Sequence, residues 1–312
     1  MISSIFGRTK PINYIILLVF LFFFYWFTHF FLFQKSYSPQ QILGQTAILG
    51  FLSFSIFVVN FISLRNKITG GNSLAILFYT LLIVLFPEVL IDSNAILCSF
   101  FLLLSIRRIL SFRSLKNIKL KIFDATFWIL IASLFYDWAI LYLITVIIAI
   151  YFYDPKNIKN WLVPFAAIIA MFLIMLAVLA LSNNMEFLWN HYFFDFKFNA
   201  VYFYDWSNST LLFLYIATVL LCGFLAFLKL GNVGVGKLVT MRLVLILFFI
   251  GLLVKVLKSS QDTHPILITF FPAVVFITTY VQSIKKESIR EIVLMASVII
   301  PFIVLITHVL MK

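Results

Sequence analysis

Apolar residues fill this chain in blocks of roughly twenty, the length a helix needs to cross the hydrocarbon core of a bilayer. Eleven blocks can be placed, at 12–33, 42–64, 73–91, 93–106, 123–137, 138–153, 161–182, 210–229, 240–257, 265–283 and 291–310. Those at 93–106, 123–137 and 138–153 are short, which predicts kinked, tilted or partly re-entrant segments there. The pattern predicts an all-α fold, a polytopic transmembrane helical bundle of about 11 spans.

Composition narrows the class. With 64% hydrophobic and 11% charged residues and a mean hydropathy of +1.13, the chain falls outside the soluble globular class, in which about a quarter of residues are charged. No polar stretch is long enough for a separate soluble core, so residues 1–312 are expected to form a single integral membrane domain. A net charge of +12 would suggest nucleic acid in a soluble protein. Here the cations sit in short connectors, so the expected partner is membrane lipid and no nucleic acid is expected. Cys98 and Cys222 lie inside apolar blocks without a C-x-x-C neighbour, which suits packing. Arg8 and Lys10 precede a long apolar run with no small-x-small cleavage site, which predicts a retained first span.

Alternate connectors differ in charge. Eighteen of the 23 Lys and Arg fall on one side, and only Lys35, Lys197, Lys255, Lys258 and Lys312 on the other. The positive-inside rule then predicts that the N-terminus is cytoplasmic and the C-terminus outside. Acids divide the other way: Glu88, Asp92, Asp137, Glu186, Asp195, Asp205 and Asp262 are expected outside with His191 and His264, and Asp124, Asp154, Glu287 and Glu291 inside. The inner basic connector 107–122 carries six cations and predicts a short surface helix against anionic headgroups. The outer loop 182–209 is the longest and is dense in aromatics, including Phe187, Trp189, Tyr192, Phe194 and Trp206. It is expected to lie in the membrane interface.

Carboxylates near hydrocarbon depth need a reason, and three places carry them. The Glu88-x-x-x-Asp92 spacing would put two acids on one helical face, where mutual repulsion suits acid/base work or a metal clamp; Pro87 complicates this, and Asp92 could equally cap the following helix. Asp137 separates two short apolar runs, either as an outer turn or as an intramembrane acid. Lys255 and Lys258 break the positive-inside pattern and are candidates to meet a phosphate or the outer acids, although snorkelling to the interface would also explain them. Asp262 and His264 follow in the same loop. His29 and His308 are isolated in apolar runs, and Gly231–Lys237 lacks the P-loop spacing.

From about Pro87 to Ala180 the order of features resembles the GT-C class of integral membrane glycosyltransferases. An acid-bearing outer turn leads to a short span, Asn94–Ile106, closed by Arg107-Arg108 and a basic connector. Then come Phe123-Asp124-Ala125-Thr126-Phe127-Trp128, another short outer turn, and a span closed by Tyr153-Asp154-Pro155-Lys156. The chain is also similar in general shape to bacterial multi-pass families for which the likeness supplies no activity. The GT-C resemblance implies glycosyl transfer from a polyprenyl-phosphate-linked sugar donor, at the outer face of the bacterial inner (cytoplasmic) membrane, in envelope glycan assembly. On that reading Glu88, Asp92 and Asp137 are catalytic candidates, and Lys255, Lys258, Asp262, His264 and His191 are substrate-binding candidates. The cofactor is left open, a divalent metal included. One departure matters: GT-C enzymes usually carry their acid in the first outer loop, and Gln34–Gln41 holds neither Asp nor Glu. Either Glu88 or Asp92 replaces it, or the chain is a non-catalytic relative. Two other readings stay open. One is a non-enzymatic subunit of an envelope assembly with a membrane-protein partner; the other is a transporter or lipid flippase, which should show repeated halves.

Overall fold

Hydrocarbon offers no partner to a backbone N–H or C=O, so an apolar chain of this kind must satisfy both internally. The computed structural model describes residues 2–194, 206–229, 234–258 and 263–310. Among these the regular elements are all helical. They are α1 (Ile2–Phe6), α2 (Pro11–Phe27, continued by a π turn, Thr28–Leu32), α3 (Pro39–Arg65), α4 (Leu74–Leu85), α5 (Ser93–Leu110) and α6 (Ile118–Ser133). There follow α7 (Leu143–Tyr153), α8 (Ile158–Leu181), α9 (Glu186–His191), α10 (Trp206–Lys229), α11 (Val235–Leu257), α12 (Phe270–Gln282) and α13 (Glu287–Leu310).

Eight helical stretches among the described residues are long and apolar enough to cross a bilayer: Pro11–Leu32, Pro39–Arg65, Ser93–Ser114, Ile158–Leu181, Ser209–Lys229, Gly236–Leu257, Pro265–Gln282 and Glu287–Thr307. The chain is therefore a multi-pass membrane protein with an all-α bundle. Three of the eleven expected spans, those built on Leu74–Leu85, Ile118–Ser133 and Asp137–Tyr153, are shorter helices.

Local chemistry explains where helices start and stop. Ser38 and Gln41 form a reciprocal capping box at the start of α3, and Pro39 occupies its first turn. The block expected at 73–91 breaks after Leu85, because Phe86 precedes a proline and leaves the helical region (φ −123°, ψ 70°) before the 3-10 turn Pro87–Leu90. The block expected at 93–106 runs on to Leu110. Arg107 and Arg108 favour a helix C-terminus, and Arg108 pairs with Asp124 at 2.7 Å. The surface helix expected within 107–122 does not form. A 3-10 turn (Ser111–Ser114) and two left-handed residues, Leu115 (φ 53°) and Asn117 (φ 50°), reverse the chain straight into α6.

The connectors collect at two opposite ends. At the predicted inner end, hereafter the basic end, Ser73 N–H donates to the Phe6 carbonyl (2.9 Å), Gly70 N–H to Gln282 (2.8 Å) and Lys229 to Ser283. The predicted outer, or acid, end holds the turns at 86–92, 134–142 and 263–269. Between the ends α4 is central, with every residue from Leu74 to Val84 buried against α3, α12 and α13. By contrast α8 and α13 turn most of their apolar surface outward, as lipid-facing helices do.

The acid end depends on one close approach. A Cβ at Gly251 of α11 would stand 2.8 Å from Tyr142 Oη and 2.9 Å from Thr269 Cγ2, so only glycine lets α11 press against both neighbouring turns. Gly251 lies one helical turn before Lys255 and therefore shares its face. Gly251→Val is expected to lower stability by about 1–3 kcal/mol through overpacking. It should also pull Lys255 out of register. Thermal unfolding in detergent measures the first effect; accelerated labelling of Lys255 by an amine reagent, read by mass spectrometry, measures the second.

Candidate functional site at the acid end

Three interruptions build this end, and all have one plan: a non-helical residue, then a short 3-10 turn. Phe86 leads into Pro87–Leu90, Tyr136 (φ −131°, ψ 110°) into Asp137–Tyr142, and His264 (φ −122°, ψ 61°) into Pro265–Thr269. In two of them a following proline disfavours the helical conformation at that residue. Each interruption places a titratable group, Glu88, Asp137 or His264, at the start of its turn.

Asp92 binds these turns together. Its Oδ1 accepts from Ala95 N–H (3.0 Å) and so caps α5. Its Oδ2 accepts from His264 N–H (2.7 Å) and from the Tyr136 hydroxyl. Burial, with the Asp92 charge beside it, holds the Tyr136 phenol well above its usual range, so this hydroxyl stays a donor. The spacing argument that Glu88 and Asp92 share a helical face is corrected here: a proline turn separates them, and Asp92 acts as cap and strut.

An ion pair and a Glu–His contact occupy the rest of the site. Asp137, with only 3% of its side chain exposed, meets Lys258 at 2.9 Å. Glu88 Oε2 approaches His264 Nδ1 at 3.4 Å, with 23% of the Glu88 side chain exposed. Lys255 is buried (2% exposed) within the attraction of Glu88 and Asp92. Glu88, Asp92, Asp137, Lys255, Lys258 and His264 thus converge. Snorkelling does not describe Lys255, whose ammonium end is turned into the bundle.

His191 sits next door. Its Nε2–H donates to the Ser133 carbonyl (2.7 Å) and its ring stacks on Phe187, while Tyr192 bonds the Ser133 hydroxyl (3.0 Å). Phe194 meets Trp138 edge-on with ring centres 5.3 Å apart. The described part of the 182–209 loop therefore folds over the 133–138 turn. Asp262 lies outside the described residues.

Sequence reasoning passed over His29 and Tyr37. The π turn of α2 aims His29 at the Pro87–Leu90 turn, where Nε2–H donates to the Leu90 carbonyl (3.1 Å) and Nδ1 accepts from Tyr37 Oη (2.5 Å). Their signal was position: both polar groups flank the predicted outer end of the first block. The first outer loop lacks an acid, yet its Tyr37 bonds the histidine that braces the acid-bearing turn. No group of three or more His, Cys, Asp or Glu side chains among the described residues is arranged to hold a metal ion.

No protein-family model, curated protein or solved structure matches the chain.

The Asp137–Lys258 pair yields a direct test. Lys258→Met leaves a buried carboxylate unpaired and is expected to cost about 2–4 kcal/mol, whereas adding Asp137→Asn should restore about half of that loss. Unfolding of the two single variants and the double variant in detergent measures the coupling. Additive losses would show that the pair holds nothing together.

Proposed function

We propose that the protein transfers a sugar from a polyprenyl-phosphate-linked donor to a hydroxyl acceptor at the acid end, in GT-C manner, on the outer face of a bacterial inner membrane during envelope glycan assembly. The observation that carries this reading is the convergence of a partly exposed Glu88–His264 pair with two lysines at one end of an apolar bundle. Each residue takes a role by elimination. Asp92 has both oxygens engaged and Asp137 is paired, so they position Tyr136, His264 and Lys258. Glu88, oriented by His264, is the proton acceptor. Lys255 and Lys258 supply positive charge for the donor phosphate.

The step balances simply. The acceptor oxygen bonds to the anomeric carbon, the bond from that carbon to the phosphate oxygen breaks, polyprenyl phosphate leaves, and the hydroxyl proton passes to Glu88. An apolar groove of about 450 Å³ between α4, α10, α12 and α13 suits the prenyl chain. It is lined by Leu85, Leu211 and Tyr215, and the Tyr215 ring lies against Phe86, two residues before Glu88.

A second reading, a non-enzymatic subunit, draws on the engagement of Asp92 and Asp137 in structural contacts. The two readings diverge under substitution. Glu88→Gln is expected to cut sugar-lipid turnover in membranes by about 10²–10⁴-fold while leaving the unfolding midpoint nearly unchanged. If Glu88→Gln and His264→Gln both turn over at the parental rate, glycosyl transfer at this site is ruled out and the subunit reading takes its place.

A further inference from the structure

The basic end contains a second built site. A cavity of about 600 Å³ opens among the ends of α3, α5 and α6, lined by Arg65, Lys67, Arg107, Arg108, Arg113 and Lys121 together with Ser111, Ser114 and Thr240. Among the described residues no Asp or Glu lines it. Asp124, just outside, serves Arg108 at 2.7 Å. Six cations around one space repel each other. The Lys121 ammonium, ahead of its apolar run, has its pKa pushed down by burial and by Arg108 and Arg65. It is held in place by the Ser111 carbonyl (2.8 Å) and the Ser114 hydroxyl (2.5 Å).

A second observation says what fills this space. The guanidinium groups of Arg65 and Arg107 both stand over the Phe61 ring, at 5.5 and 5.4 Å. Phe61, Arg65 and Arg107 also form one wall of an adjoining groove of about 680 Å³, whose other lining includes Tyr14, Phe54 and Phe57. Phe54, Phe57 and Phe61 are exposed on the flank of α3. A cationic chamber thus continues into an aromatic channel along the membrane-facing side of the bundle.

We propose that this paired cavity binds an anionic lipid, with its phosphate among Arg65, Arg107 and Arg108 and its hydrocarbon chain along Tyr14, Phe54 and Phe57. A free phosphate would use the chamber alone; the shared wall commits the site to a molecule carrying both parts. The site lies at the end of the bundle opposite Glu88 and is independent of the glycosyl-transfer reading.

Binding of a tail-labelled phosphatidic acid to the full-length protein in detergent, read by fluorescence anisotropy, tests it. Unlabelled phosphatidic acid should compete, while phosphatidylcholine with the same chains and inorganic phosphate should each require at least about a hundredfold more. The double variant Arg65→Gln/Arg107→Gln should weaken binding at least about tenfold, and Phe57→Ala several-fold. Lys116→Gln/Lys119→Gln removes the same charge from exposed residues of the same connector that do not line the cavity, and should change binding less than about twofold. Equal losses in the two charge variants would overturn the site as mere surface charge. Competition by inorganic phosphate at lipid-like concentrations would overturn the lipid assignment, and equal competition by phosphatidylcholine would overturn the role of the cations. The competition arms need only the unaltered protein, so a variant that fails to fold leaves the proposal open to refutation.

Discussion

A carboxylate enclosed in a membrane bundle is tolerated only when its lone pairs are engaged, because desolvation costs several kcal/mol otherwise. Asp92 meets that condition by reaching into three segments distant in sequence: the first turn of its own helix, the Tyr136 hydroxyl and the His264 backbone. That requirement shapes the acid end. Three helices must stop at the same level for the three donors to meet one side chain. The stops in turn bring Glu88, Asp137 and the two lysines of α11 within reach of one another.

The two ends of the bundle solve opposite electrostatic problems. At the acid end, charges of both signs are matched, with Asp137 on Lys258 and Lys255 drawn toward Glu88 and Asp92. Burial makes such matching obligatory, since a lone charge would be expelled or neutralised. Around the cavity at the basic end, Asp124 answers Arg108 within a wall of cations, and open space lies between them. Matched charge stabilises a closed arrangement, and surplus charge around a cavity attracts a counter-ion.

Much of this was legible before the fold. Apolar block length announced the helices, because hydrocarbon thickness leaves few alternatives. Charge asymmetry foretold that Glu88, Asp92, Asp137, Lys255, Lys258 and His264 belong to one end. What spacing could not supply was local backbone geometry. The i, i+4 argument for Glu88 and Asp92 assumed a continuous helix, and Pro87 defeats it by taking Phe86 out of the helical region and opening a 3-10 turn. The six cations of the 107–122 connector suggested a surface helix, but Leu115 and Asn117 take left-handed conformations that no charge pattern signals. His29 was invisible for a different reason: its importance lies in a backbone carbonyl sixty-one residues away, reached through a π turn.

The brevity of α4 has a consequence inside the bundle. Its twelve residues rise about 18 Å, against a hydrocarbon core of about 30 Å, whereas neighbouring α3 with 27 residues exceeds that thickness. The shorter helix is enclosed by its neighbours, so the difference is met inside the bundle, where the Pro87–Leu90 turn carries the chain on and its Leu90 carbonyl meets the His29 ring. Glu88 thereby rides on a turn braced by protein instead of on a loose surface loop, which limits how far its carboxylate can wander.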